Sequence, residues 1–537
     1  MAASSPIPAP ASDPFPAGAV IKDGLYIEHL LAVLREAGTR TVLAHRGQSI
    51  PAHAFLGSIY RYARALAEVG IGRGSLVALV APNRPEALAV RYAAHLLGAG
   101  TSYLPVPASA ERRADLLAQI DPQLLVLFEE TAGLFPRSAA IPVAMIGAGS
   151  DQPAHRLDER AAAQPAEPTA VVARPSDLAV IISSGGTTGV PKGSWRTFAS
   201  YSAMVQVPSP SDRRQLVDGR LAYLSQVLVD LTLLGGGTVV LEDSFDAADT
   251  LATIELERIT HLFLVEPQLF ELMDHPGLDR RNLASLREIT HIGASAPPTL
   301  RRRAFERLGP VLVHTYGASE MGLVSSLKPA QHDPTHPDTF SCAGHIHPGV
   351  AVRFRQPDGR LADAGAYGSI EVCSPAMANG YRNRPALEAG AFQDGWYHTG
   401  DLGFLDPRGL LHILGRAADI CWIDGRMVSP TLIEDTLCQL PDVRYVVVVA
   451  EQDPARWIAA VVPWPGASPQ PSAWLSTVAE RHGDAVASAT TLLTVERVPL
   501  TEQGKPDREA IRRLGHETAA LLAPAGEGRR PASCGSG

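Results

Sequence analysis

Residues 183–195 read Ser183-Ser184-Gly185-Gly186-Thr187-Thr188-Gly189-Val190-Pro191-Lys192-Gly193-Ser194-Trp195. Four glycines, two threonines, three serines and one lysine are packed into this stretch. Glycine lets a backbone approach a polyphosphate and take positive φ. Backbone N–H groups and hydroxyls donate hydrogen bonds, and Lys192 adds a point charge. The chemistry such a segment can do is to hold phosphate. It is not the common P-loop, in which a GK[ST] sequence enters the following helix.

The elements that must position this loop follow from its flanks. The apolar run 178–182 predicts a strand buried on both faces, and residues 195–205 predict a helix. Upstream, Ile27, Leu30, Leu31 and Leu34 form one helical face, and Phe55, Ile59, Tyr62 and Leu66 another. Short apolar strands at 76–81, 101–106 and 124–128 alternate with helical segments such as 84–97, and the alternation resumes at 238–241 and 261–265. That pattern predicts layered α/β architecture with largely parallel sheets. Residues 151–177 read as a surface connection. Beyond Gly349, strands at 351–355, 368–373 and 410–414 separated by turns predict a small, barrel-like antiparallel region. From Gly415-Arg416 the texture changes again. Ser429 is placed to cap and Pro430 to begin a helix carrying Ile433, Leu437 and Leu440, and strands follow at 445–450, 457–464 and 492–498. The expected organisation is a tail (1–22), a large N-terminal domain (23–415), a hinge (416–419), a small mobile α+β C-terminal domain (420–518) and a second tail (519–537).

Bulk composition narrows the function. Among 537 residues, 45% are hydrophobic and 19% charged, and 47 basic against 56 acidic side chains give a net charge of −9. That balance argues against a nucleic-acid surface. No apolar run is long enough to span a membrane, and the N-terminal 22 residues have neither a basic start nor an apolar signal core. Cys342, Cys373, Cys421, Cys438 and Cys534 show no metal-ligand spacing and read as reduced packing residues of a cytoplasmic protein.

Later segments give the phosphate loop its context. Ser184-Gly185-Gly186-Thr187-Thr188-Gly189 followed by Pro191-Lys192-Gly193 resembles the phosphate loop of the adenylate-forming superfamily of acyl-CoA synthetases, adenylation domains and amide ligases. The superfamily's further motifs resemble, in order, Gly293-Ala294-Ser295-Ala296-Pro297, Thr315-Tyr316-Gly317-Ala318-Ser319-Glu320, Gly380-Tyr381, Trp396-Tyr397-His398-Thr399-Gly400-Asp401, Gly415-Arg416 and Pro499-Leu500-Thr501-Glu502-Gln503-Gly504-Lys505-Pro506-Asp507-Arg508. Each alone is weak; five signals in the right order from about 183 to 508 are strong.

The resemblance implies ATP and Mg²⁺ as cofactors, with Lys505, Glu320 and Thr187 catalytic and Glu320 holding the metal. It implies nucleotide binding by Ser184, Gly185, Gly186, Thr188, Gly189, Lys192, Gly293, Ala294, Ser295, Thr315, Tyr316, Asp401 and Arg416. Gln226, Asp230, Gly317, Met321 and Gly425 are expected around the substrate and acceptor pocket. The implied reaction joins a small carboxylic acid, aryl or hydrophobic, to AMP with release of pyrophosphate, and then passes the acyl group to an acceptor. The loop variant and the Lys-Gly-Ser-Trp-Arg that follows it are similar to those of aminocoumarin (novobiocic acid) ligases and marinacarboline-type amide synthetases. An amine acceptor for secondary metabolism is therefore the first expectation, and CoA the alternative. A non-catalytic acyl- or nucleotide-binding protein is a third reading, against which the presence of Lys505, Glu320 and Asp401 counts. No carrier-protein serine in a Gly-rich setting follows Arg508. Four positions depart from the pattern: Ala418 replaces an acidic residue or Lys at the hinge, Trp422 stands beside the acceptor channel, and Gln226 and Phe198 replace frequent histidines.

Overall fold

The computed structural model describes residues 24–106, 109–135, 141–147, 155–184, 192–292, 296–451, 456–501 and 503–522, without the side chains of Ser184 and 519–522. The chain divides into two compact units. The larger comprises Met1–Ala417 together with Thr501–Lys505, and the smaller Ala418–Leu500 with Pro506–Gly537.

Two large sheets organise the first unit. In one, counted over the described residues, eight strands run in the order Gly380–Tyr381, Lys192–Thr197, Leu178–Ser184, Gly100–Tyr103, Leu76–Val80, Leu124–Phe128, Val143–Ile146 and His155–Arg156. Its pairings from Leu178–Ser184 to His155–Arg156 are parallel. In the other, nine strands include a parallel series Thr238–Leu241, Arg214–Val217, His261–Leu264, Glu288–Ile292 and Leu312–Ala318. One core joins the sheets through the helices Tyr26–Ala37, Ala52–Glu68, Pro85–Leu96, Phe198–Val205 and Leu224–Leu234. The predicted faces are those buried: Ile27, Leu30, Leu31 and Leu34 on the first helix, Phe55, Ile59, Tyr62 and Leu66 on the second. A third sheet of five antiparallel strands contains Ala351–Arg355, Gly368–Cys373, Trp396–Leu405 and Leu411–Arg416.

The smaller unit holds the hairpin Cys421–Ile423/Arg426–Val428, the helix Pro430–Cys438 and a three-stranded sheet of Val443–Ala450, Trp457–Pro463 and Thr490–Thr494. Trp457 and Trp474 are buried in it, with the Trp474 indole donating to Asp442 at 2.8 Å.

Three local expectations are corrected. Residues 195–205 are not one helix. Lys192–Thr197 is a strand antiparallel to Leu178–Ser184, and the helix begins at Phe198 with the Thr197 hydroxyl capping the Ser200 N–H at 3.2 Å. The strand wins because the Ile182↔Ser194 and Val180↔Arg196 pairings complete the sheet. Gly193 permits that approach, since a Cβ there would lie 2.7 Å from Ile181 Cγ2. Within 151–177, the edge strand His155–Arg156 and the helix Leu157–Ala162 are formed, with Leu157 and Ala161 buried. Ser429 occupies the N-cap position of its helix, but its side chain makes no capping hydrogen bond.

Candidate active site

Glu320 closes the turn between the antiparallel strands Leu312–Ala318 and Gly322–Leu327. Its carboxylate is buried, and both oxygens accept hydrogen bonds: Oε1 from the Tyr381 hydroxyl at 3.0 Å and Oε2 from the Ser319 hydroxyl at 2.9 Å. Its main-chain oxygen accepts from Ala378 N at 2.7 Å. Ser194 Oγ lies 3.0 Å from the Ile182 carbonyl and 3.1 Å from that of Ser319, so the strand that follows the glycine-rich segment also anchors this turn. Arg196, fully buried on the same strand, donates from Nε and Nη2 to Ala376 O at 3.0 and 2.7 Å. Burial pushes its guanidinium down to about 10, with Glu320 opposing the shift.

A second cluster forms where the small antiparallel sheet meets the end of Leu312–Ala318. The Tyr316 hydroxyl donates to Asp401 Oδ2 at 2.6 Å, and Arg416 Nε lies 3.1 Å from Asp401 Oδ1. Asp401 and Arg416 are cross-strand partners, and Arg416 also donates to Thr399 O at 2.7 Å. Asp401 N donates to the Thr399 hydroxyl at 3.0 Å. Burial, then the neighbouring Asp401 charge, holds the Tyr316 phenol well above its ordinary range. Burial works most strongly against the Arg416 charge, but Asp401, Tyr316, Tyr397 and Glu320 together outweigh it and the guanidinium is raised.

Lys505 is grouped with this larger unit. The residue is half-buried, and desolvation lowers its pKa. Arg416 lowers it further, while Glu320 raises it. Lys192 Nζ lies 5.5 Å from the centre of the Tyr381 ring.

Of the remaining expected residues, Gly185, Gly186, Thr187, Thr188, Gly189, Gly293, Ala294 and Ser295 lie outside the described residues, and Ser184 is described as backbone alone. Residues 185–191 fall between the strands Leu178–Ser184 and Lys192–Thr197 in the chain, and 293–295 come directly after the strand Glu288–Ile292. Thr315 is buried with its hydroxyl 3.1 Å from Ser326 Oγ. Gly317 sits at a register shift, where a Cβ would lie 2.5 Å from Gly322 O.

The acceptor-pocket expectations fare unevenly. Gln226 is buried in the first turn of the helix Leu224–Leu234. Asp230, one turn further along, is fully buried and cannot meet an incoming amine. Oδ1 accepts from Arg91 at 2.7 Å and Tyr92 at 2.5 Å, and Oδ2 from Arg91 at 2.8 Å and Tyr201 at 2.6 Å. It is the counter-ion of a buried arginine. Met321 is likewise a core residue, packed with Val324, Ile370, Val372, Tyr397 and Leu411. Gly425, at φ +74°, turns the Cys421–Val428 hairpin of the smaller unit, which also carries Trp422, 56% exposed. Phe198 fills an aromatic cluster with Tyr26 and His95. Ala418 is the first residue of the smaller unit.

Tyr381 and Arg196 both fall within the sequence motifs, but neither has a role assigned by them. The available signal for Arg196 was an arginine at an inward-facing position of a strand, where a cation needs buried acceptors. Among the described residues no group of three or more His, Cys, Asp or Glu could hold a metal by itself. A single carboxylate fits Mg²⁺, which commonly binds through one or two carboxylates with substrate phosphates completing its shell. No helix among them is long and apolar enough to cross a membrane.

A family model described as AMP-binding enzyme matches residues 32–382. A medium/long-chain fatty-acid–CoA ligase of Mycobacterium tuberculosis is 30% identical, over 92% of this chain and 91% of its own. An indoleacetate–CoA ligase of Aromatoleum aromaticum is also 30% identical, over 85% and 92%. Among solved structures, the amide bond synthetase McbA from Marinactinospora thermotolerans is 30% identical, covers 91% of this chain and 99% of its own, and superposes with a TM-score of 0.80. The chain belongs to the AMP-binding enzyme family, within the adenylate-forming superfamily.

Proposed function

We propose that this protein activates a small carboxylic acid, aryl or hydrophobic, as its acyl-adenylate and then transfers the acyl group to an amine. The observation that supports the first step is a buried Glu320 carboxylate held by Tyr381 and Ser319, and an Asp401 carboxylate held by Tyr316 and Arg416, in the unit that also contains Lys505. A carboxylate oxygen attacks the α-phosphorus of ATP, and the bond to the pyrophosphate oxygen breaks. The two reactants are anions, so the barrier is lowered mainly by positioning and charge neutralisation. Lys505 supplies a cation to both, Asp401 accepts hydrogen bonds from the ribose hydroxyls, Tyr316 packs against the adenine, and Lys192 with the glycine-rich loop holds the outer phosphates. Glu320 would hold Mg²⁺, which when bound neutralises phosphate charge. In the second step an amine nitrogen attacks the acyl carbon, the bond to AMP breaks and the nitrogen loses a proton.

The amine reading draws support from the likeness to the amide bond synthetase. CoA as acceptor is the second reading, supported by the similarity to the two CoA ligases. Incubation with ATP, a panel of acids and either amines or CoA separates them. Amide with no thioester is expected, and thioester with no amide overturns the amine reading. Absence of acid-dependent pyrophosphate release overturns adenylation itself.

A further inference from the structure

Tyr381 lies against both the carboxylate at 320 and the Lys192 ammonium that follows the glycine-rich segment. Its strand, Gly380–Tyr381, pairs antiparallel with Lys192–Thr197 in the register Gly380↔Trp195 and Tyr381↔Ser194. That register sets the phenol against Glu320 Oε1 at 3.0 Å, while the face of the ring lies 5.5 Å from Lys192 Nζ. The placement is fixed from behind. Tyr381 N donates to Glu388 Oε2 at 3.0 Å, Asn379 N and Arg382 N donate to Trp195 O and Gly193 O at 2.8 Å each, and Phe392 packs on the ring edge-on at 5.5 Å. Gly380, at φ +146°, leaves room for the Glu388 carboxylate, which a Cβ would strike.

The chemistry of the two contacts is complementary. A phenol donating to Oε1 holds the carboxylate in one orientation through a charge-assisted hydrogen bond, and Oε2 is held in the same way by Ser319. Each oxygen keeps a lone pair for a hard cation. The ring face, negative by its quadrupole, stabilises a lysine ammonium that would otherwise be repelled by an incoming divalent cation. One residue thus steadies the groups that would serve the two ends of the nucleotide's phosphate chain.

We propose that Tyr381 is a positioning residue that couples the Glu320 carboxylate to the Lys192 cation, so that metal and outer phosphates are bound in a fixed mutual geometry. The proposal rests on the reading of Glu320 as the metal-bearing carboxylate and of residues 184–192 as the phosphate loop.

The test is Mn²⁺ binding, followed by electron paramagnetic resonance, in the presence of an ATP analogue that cannot release pyrophosphate. The full-length protein is compared with Tyr381→Phe and Tyr381→Leu, each checked for native melting behaviour. Tyr381→Phe keeps the ring and removes the hydroxyl. Its Mn²⁺ affinity is expected to fall about tenfold, while metal-free binding of the analogue changes less than twofold. Tyr381→Leu also removes the ring face, and metal-free binding is expected to weaken several-fold as well. In pyrophosphate release, excess Mg²⁺ should restore kcat in Tyr381→Phe, with the defect confined to the Mg²⁺ concentration required. If Tyr381→Phe binds Mn²⁺ as the wild type does, the proposal is overturned while the reading of Glu320 stands. If the wild type itself shows no metal-dependent binding of the analogue, the reading of Glu320 falls and takes the proposal with it.

Discussion

The Tyr316 hydroxyl and Asp401 Oδ2 are 2.6 Å apart although 85 residues separate them in the chain. The bond ties a strand end of the nine-stranded sheet to the small antiparallel sheet. If this pair receives adenine and ribose, Tyr316→Phe should leave the fold intact and let Asp401 swing. A hydrogen bond to a charged group contributes about 1.5–3 kcal/mol, so KM for ATP is expected to rise roughly tenfold or more. Asp401→Ala should raise it further. Steady-state pyrophosphate release at varied ATP decides, and an unchanged KM in both variants contradicts the assignment.

Lys505→Ala is expected to reduce acid-dependent pyrophosphate release by about 10²–10³-fold, the scale seen when one charge-stabilising donor is removed from an active site. A rate that needs the ammonium falls as pH rises through its pKa. Because burial lowers that pKa, the alkaline limb of kcat/KM should begin below the range of an ordinary lysine. Lys505→Arg should move the limb upward or abolish it. A limb at the same pH in Lys505→Arg would show that another group is titrating.

The Arg91–Asp230 pair predicts a stability effect without a specificity effect. Both side chains are fully buried, and Tyr92 and Tyr201 complete the carboxylate's hydrogen bonds. Asp230→Asn leaves the guanidinium without its counter-charge, at an expected cost of about 3–5 kcal/mol. Chemical denaturation measures that loss directly. The KM for an amine substrate should not move in the folded fraction, and a selective rise in it would restore Asp230 to the acceptor pocket.

The stacked histidines predict acid sensitivity. His291 and His314 face each other on adjacent strands with their Nδ1 atoms 3.0 Å apart. Burial lowers His291 to about 3 and His314 well below its ordinary value, with Arg301 adding to both. A histidine lowered in the folded state is neutral there while the unfolded chain takes up its proton. No penalty exists above about pH 6.5. As pH falls from there toward 3, each depressed histidine costs stability at about 1.4 kcal/mol per pH unit. Denaturation midpoints should therefore drop between pH 7 and pH 5, and His291→Gln should show a shallower drop. Equal slopes in the two proteins would place the acid sensitivity elsewhere.

Much of this architecture is legible in the amino-acid sequence, for local physical reasons. Apolar runs bounded by turns predict the strands Leu124–Phe128, Thr238–Leu241, Ala351–Arg355 and Gly368–Cys373 with their observed limits. Helical spacing predicts which faces of Tyr26–Ala37 and Ala52–Glu68 are buried. Motif order was enough to place the chain in its superfamily. Spacing and residue type are short-range properties, and those features depend on little else.

What the tertiary structure alone decided is partnership. Asp230 and Met321 sit at plausible motif offsets, yet one is claimed by Arg91 and two tyrosines and the other by a core of five apolar neighbours. Arg196 and Tyr381 carry no motif role, yet a strand register brings the first to Ala376 and the second between Glu320 and Lys192. A side chain's free energy depends on which distant groups desolvate it and which accept its hydrogen bonds. Those groups become neighbours only when the sheets close, so no reading along the chain can name them.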